Sequence, residues 1–130
     1  MKSVSVIAAF LILFTILHLA AVNFYFYWTV WWYDIFMHVL GGFIGALIFV
    51  SFLPEAHQTK PIVFFVSVFA AIFIGIVWEL YELTIGVTFT DEGKYLYDTF
   101  TDILDDIVGG LIAYLVLYPK TKQIETYEQA

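Results

Sequence analysis

The chain contains no cysteine and no arginine, and little charge of either sign. Without cysteine there is no disulfide, iron–sulfur cluster or thiolate zinc site. Without arginine there is no guanidinium fork of the kind that grips phosphate in two places. The five basic residues are all lysines: Lys2, Lys60, Lys94, Lys120 and Lys122. The net charge of −7, with no basic patch or glycine-rich phosphate loop, argues against nucleic acid as a partner. What fills the space is apolar. With 62% hydrophobic, 21% aromatic and only 13% charged residues, the composition belongs to the membrane class. The 130 residues suit one integral membrane domain, 1–130, and no repeat, linker or second domain is visible.

A membrane-spanning helix needs roughly 20 mostly apolar residues. Four stretches qualify, about 4–22, 35–53, 61–85 and 99–118. The expected fold is therefore all-α, a polytopic four-transmembrane-helix bundle. The first stretch follows Lys2 as a signal peptide would, but no small-residue cleavage site follows it, so a retained helix is expected. Residues 23–33 (NFYFYWTVWWY) read as an aromatic belt at the membrane–water boundary. Residues 54–60 form a short polar loop between Pro54 and Pro61, and 86–98 a polar loop at the opposite face. The tail after Pro119 is polar and expected to fray. With four spans, Lys2, Lys60, Lys120 and Lys122 share one side, and only Lys94 lies on the other. The positive-inside rule then puts both termini in the cytoplasm, in a multi-pass inner-membrane protein.

Against this background the acids stand out. Asp34 and His38 open the second stretch, Glu79 and Glu82 close the third, and Asp98, Asp102, Asp105 and Asp106 open the fourth. The topology brings all of them, with His18 and Asn23, to the outer half of the bilayer. The spacings also fix faces. Asp34/His38 at i, i+4 and Glu79/Glu82 at i, i+3 each share a helix face, and Asp98, Asp102 and Asp105 form a stripe with Asp106 beside it. Ionisable groups in hydrocarbon are costly and mark functional sites by default. So many carboxylates stay close only if some are protonated or a cation neutralises them. Carboxylates with imidazole suit Mg, Mn, Zn, Fe or Ca. The expected metal ligands are Asp34, His38, Glu79, Glu82, Asp98, Asp102 and Asp106, with His38, Glu79, Glu82 and Asp102 innermost. Asp98 and Asp105 have an alternative role as helix caps. A hydrogen-bonded packing role suits His18, and a solvated one His57. The glycines, with the Gly41-x-x-x-Gly45 spacing, fit close helix packing.

Tyr33-Asp34-x-x-x-His38, Glu79-x-x-Glu82 and Asp98-Thr99-x-x-Asp102-x-x-x-Asp106-x-x-Gly109 together resemble the small inner-membrane family typified by the bacterial YjdF proteins, and more distantly the VanZ-like proteins. The VanZ-like pattern has a lysine where this chain has Ile35, Gln at Glu82 and Asn at Asp106. Both of the latter differences add carboxylate here. The resemblance implies the fold and the residues rather than a reaction. Three functions are consistent with the sequence. One is a metal-dependent hydrolase acting on a lipid or lipid-linked headgroup, with Glu82 as general base. Another is a cation or proton-coupled transporter or channel subunit, in which a homo-oligomer would supply the path that the apolar inner half lacks. The third is a non-catalytic membrane protein stabilised by its metal.

Overall fold

The computed structural model describes the backbone of residues 2–86 and 92–128, with side chains over 4–86 and 93–117. It is 90% helical, and no strand occurs among the described residues. In chain order the helices are α1 (Lys2–Asn23), α2 (Phe26–Thr29), α3 (Tyr33–Ser51), α4 (Lys60–Ile85) and α5 (Glu92–Glu128), with one 3-10 turn at Glu55–His57. Among the described residues three stretches are long and apolar enough to cross a membrane: Val4–Asn23, Tyr33–Ser51 and Lys60–Ile85. At 1.5 Å per residue each reaches about 28 Å or more, the thickness of a hydrocarbon core. The chain is thus a helical, multi-pass membrane protein. The apolar surface agrees. Ile12, Phe65, Leu80 and Leu115 are all more than half exposed, which suits contact with lipid and not with water.

Local chemistry sets the helix boundaries. Thr59 stands in extended backbone ahead of α4, and Pro61 lies in the first turn, where its missing N–H costs nothing. Gly86 ends α4 in the left-handed region (φ 70°), its N–H bonding to the Glu82 carbonyl at 2.9 Å. Tyr25 also takes positive φ (60°), at the reversal from α1 into α2. A non-glycine residue carries that conformation at a cost of about 1–2 kcal/mol. The belt expected at 23–33 is a short helix within a turn, with Phe24, Tyr25, Trp28 and Trp31 exposed and Tyr33 buried.

Helices α3, α4 and α5 pack on one another, and α1 leans on α3. The α3–α5 seam depends on two reciprocal glycines. A Cβ at Gly42 would collide with the Asp106 backbone, and one at Gly109 with the Val39 carbonyl. Each helix therefore removes a side chain exactly where the other's backbone passes. The Gly41-x-x-x-Gly45 spacing is not that seam. Gly41 would admit a Cβ at ordinary contact distance, and Gly45 faces Ile74 of α4. A single face of α1 makes contact: Phe10 meets Phe43, Phe14 meets Trp78, and the Leu17 carbonyl accepts from the Tyr33 hydroxyl at 3.1 Å. The rest of α1 is left to lipid.

Two boundaries differ from the sequence reading. Helix α5 begins at Glu92, not near 99, so 93–98 is helix and not loop. Its polar first two turns fall outside any apolar window, although a helix need not end where hydrocarbon ends. The backbone helix also continues through Pro119 to Glu128, where fraying was expected. The fourth span, 99–118, lies wholly within α5, but α5 is not among the three stretches that qualify by length and apolarity, since four acids enter its described part.

Candidate metal centre

The site is built around His38, on the second turn of α3 and wholly buried. Its two ring nitrogens have different surroundings. Nδ1 lies 3.0 Å from Asp106 Oδ2, a buried hydrogen bond between α3 and α5. With Asp106 ionised its carboxylate only accepts, and Nδ1 is then the donor while Nε2 carries the free lone pair. Nε2 faces Asp34 Oδ1 at 3.8 Å and Asp102 Oδ2 at 3.9 Å. Both distances are too long for hydrogen bonds.

Two sets of side chains share this imidazole. Asp34, His38 and Asp102 each offer a ligand atom, all within 4.8 Å of one another, and so do His38, Glu79 and Glu82. The helices impose this. Asp34 and His38 are one turn apart on α3, Glu79 and Glu82 lie on one face near the end of α4, and Asp102 and Asp106 are one turn apart on α5. Gly75 makes room for the last of these, since a Cβ there would strike the Asp106 carboxylate.

Four buried polar atoms at this place have no hydrogen-bond partner: Asp34 Oδ1, His38 Nε2, Glu79 Oε1 and Asp102 Oδ2. Leaving such atoms unsatisfied costs about 1–3 kcal/mol each, and more when they are charged. The opposite edges of two of these side chains are held, His38 by Asp106 and Glu79 by Thr99, whose Oγ1 donates to Glu79 Oε2 at 2.6 Å. Glu82, in the second set, accepts at Oε1 from Trp78 Nε1 at 2.9 Å. Partners that fix the outer edge of a ligand while its inner atom stays free are the usual surroundings of a metal site. Nε2 lies from each aspartate oxygen at a spacing that donors take around one ion, since ligands about 2.0–2.2 Å from a metal lie roughly 3–4 Å apart. The donor set therefore fits a hard or borderline divalent cation.

The remaining candidates fall outside the two sets. Asp98 and Asp105 are half-buried and belong to neither. They do not cap α5 either, because Glu92 begins the helix and Asp98 comes six residues later, past the four free N–H groups. Asp106 meets the imidazole through Nδ1, on the edge away from Asp34 and Asp102. His18 is hydrogen-bonded within the protein, with Nδ1 2.8 Å from the Tyr27 hydroxyl, Nε2 3.0 Å from the Tyr81 hydroxyl, and its ring edge-on to Trp78. Burial, then the nearby Asp34 and Glu82 carboxylates, raise the Tyr27 phenol above its usual range, so it stays protonated. His57 is exposed in the 3-10 turn. The roles of Trp78, Thr99, Tyr27 and Tyr81 were not read from sequence. Trp78-x-x-x-Glu82 at i, i+4 and the Thr99 hydroxyl beside Asp98 were the available signals.

A helical membrane bundle with acids and a histidine drawn together between three helices is the class this geometry defines. The family model described as "Predicted membrane protein (DUF2238)" matches residues 3–123, and the chain belongs to that family. The YjdF-like resemblance fits this membership. No curated protein and no solved structure matches the chain.

Proposed function

We propose that the protein holds a divalent metal ion between α3, α4 and α5, in the outer half of the inner membrane. His38 Nε2 and the carboxylates of Asp34, Glu79, Glu82 and Asp102 would be its ligands. Asp106 would fix the imidazole tautomer, and Asp98 would lie at the rim. The observation that supports this reading best is the set of four buried, unpartnered atoms, among which Asp34 Oδ1 and Asp102 Oδ2 face His38 Nε2. A cation would satisfy all four and offset the repulsion among the carboxylates.

The reaction we favour is hydrolysis of an ester or phosphoester in a lipid or lipid-linked headgroup. A bound metal ion polarises such a bond and activates water. Glu82, held through Oε1 by Trp78, would act as general base. The position of the site, two turns into α3 and within the last two turns of α4, lies close to headgroup level. In this reading α5 is a fourth span and both termini are cytoplasmic.

One observation favours a second reading. The His38–Asp106 pair at 3.0 Å would also be satisfied by an imidazolium with no metal present, as in a proton-coupled protein. Elemental analysis of purified protein separates the two. Near-stoichiometric Mn, Fe, Zn, Mg or Ca that is lost in Glu79→Gln supports the metal centre. A metal-free protein with normal stability would reject it.

A further inference from the structure

We infer that the cleft beside the metal centre is a seat for one acyl chain of a membrane lipid, and hence that the substrate class of the site is a lipid bearing a hydrocarbon tail. This rests on the metal-centre reading and names what that centre would act on. The cleft measures about 110 Å³ and is open on one side. A single water needs only about 10–15 Å³. Its walls are Leu11 and Phe14 of α1, Ile44 and Ile48 of α3, and Ile74 and Trp78 of α4. All three helices are among the apolar spans, so the open side faces lipid tails. Gly41 and Gly45 line it on α3, and at Gly41 the absent side chain leaves ordinary contact space beside Phe14.

The polar end identifies the occupant. His38 and Asp106 also line the cleft, so the imidazole that faces Asp34 and Asp102 through Nε2 also borders apolar space. A molecule filling both places must be hydrocarbon along most of its length and polar at one end. The length agrees. From Met37 to Ile48 the cleft follows twelve residues of α3, a rise of about 16 Å. That is about half of a ~30 Å hydrocarbon core, the reach of an acyl chain from one leaflet. The cleft begins one turn below Asp34, so a lipid seated there would place its headgroup linkage at the level of the carboxylates.

The test uses the full chain in detergent, with Trp28→Phe, Trp31→Phe and Trp32→Phe leaving Trp78 as sole tryptophan. The probe is phosphatidylglycerol brominated midway along one acyl chain, read as quenching of Trp78, with metal content measured on the same samples. Saturable quenching near one lipid per chain is expected. Ile48→Phe and, independently, Leu11→Phe should weaken it roughly ten-fold, the effect of displacing about two methylenes from the cleft. Leu80→Phe, on an exposed face of α4 outside the cleft, should leave it unchanged. Quenching that rises linearly with micellar lipid, or that ignores both filling substitutions, would overturn the proposal. Unquenched Trp78 in a cross-linkable dimer would do the same, placing a second copy in the cleft. Saturable quenching of metal-free protein would uphold the cleft and reject the metal centre. Metal without quenching would do the reverse.

Discussion

At His38 two edges of one ring divide the labour, and substitutions should separate them. Glu79→Gln keeps the side-chain volume and the Thr99 contact but removes the charge. Metal content measured by elemental analysis should then fall at least about ten-fold, since a carboxylate ligand is lost outright. Asp106→Asn should act differently. It leaves the facing donors in place but weakens the hold on the imidazole, and loss of such a supporting carboxylate lowers metal affinity by about 10–100-fold. Titrating metal back should therefore restore occupancy in Asp106→Asn and not in Glu79→Gln. Asp105→Asn, half-buried and in neither ligand set, should bind like the parent. Equal losses in all three would mean the acids serve only folding. Much of this arrangement was legible in sequence. Helical spacing put Asp34 with His38 and Glu79 with Glu82 on shared faces, and the expected topology set both pairs level with Asp102. Spacing could not tell which ring nitrogen each aspartate would meet, because Asp102 and Asp106 differ by one turn and only the α3–α5 register decides between them.

Among the helices, that register is set by glycine and not by side-chain complementarity. Gly42→Ala drives a methyl group into the Asp106 backbone, and Gly109→Ala drives one into the Val39 carbonyl. Backbone cannot yield as a flexible side chain can, so each should cost about 1–3 kcal/mol, the usual penalty of overpacking. Gly41→Ala, with its nearest neighbours at 3.6 Å and 3.7 Å, should cost far less. Thermal unfolding in detergent should rank Gly42→Ala and Gly109→Ala well below Gly41→Ala. Equal melting temperatures would show the helices free to separate. The sequence marked the glycines as close-packing positions but not which of them meet. A four-residue glycine spacing identifies a possible smooth face, but Gly42 and Gly109 belong to different helices, and their reciprocity exists only once those helices are docked. The start of α5 was missed for a related reason. Hydropathy marks where a helix enters hydrocarbon, whereas Glu92 marks where hydrogen bonding begins, and Gly93 and Lys94 lie between the two.

Over the whole molecule, topology and the charge state of the site are linked, because the proposed orientation places the carboxylates toward the outer face. His57→Cys in the 3-10 turn should react with a maleimide only from the cytoplasm, and Trp31→Cys in the exposed belt only from outside. The reverse pattern would invert the site. With the orientation known, acid and chelator test what neutralises the cluster. Protons and a metal ion compete for the same lone pairs on His38, Asp34, Glu79, Glu82 and Asp102. Metal bound to the folded state alone adds stability that grows with occupancy. The folded, loaded protein binds fewer protons at these groups than the unfolded chain does, so its stability must rise with pH wherever the unfolded ligands still titrate. Unfolded carboxylates and imidazole titrate near 4 and 6.5, so the stabilisation should be fully present above about pH 7 and fade from about 6.5 to 4. Melting in detergent at pH 7.5 and pH 5, with and without chelator, reads this directly. A chelator should lower the melting temperature strongly at pH 7.5 and weakly at pH 5. If protons alone hold the carboxylates together, chelator should change neither value. The protein should then melt higher at pH 5, because neutral pH would force like charges into one buried site.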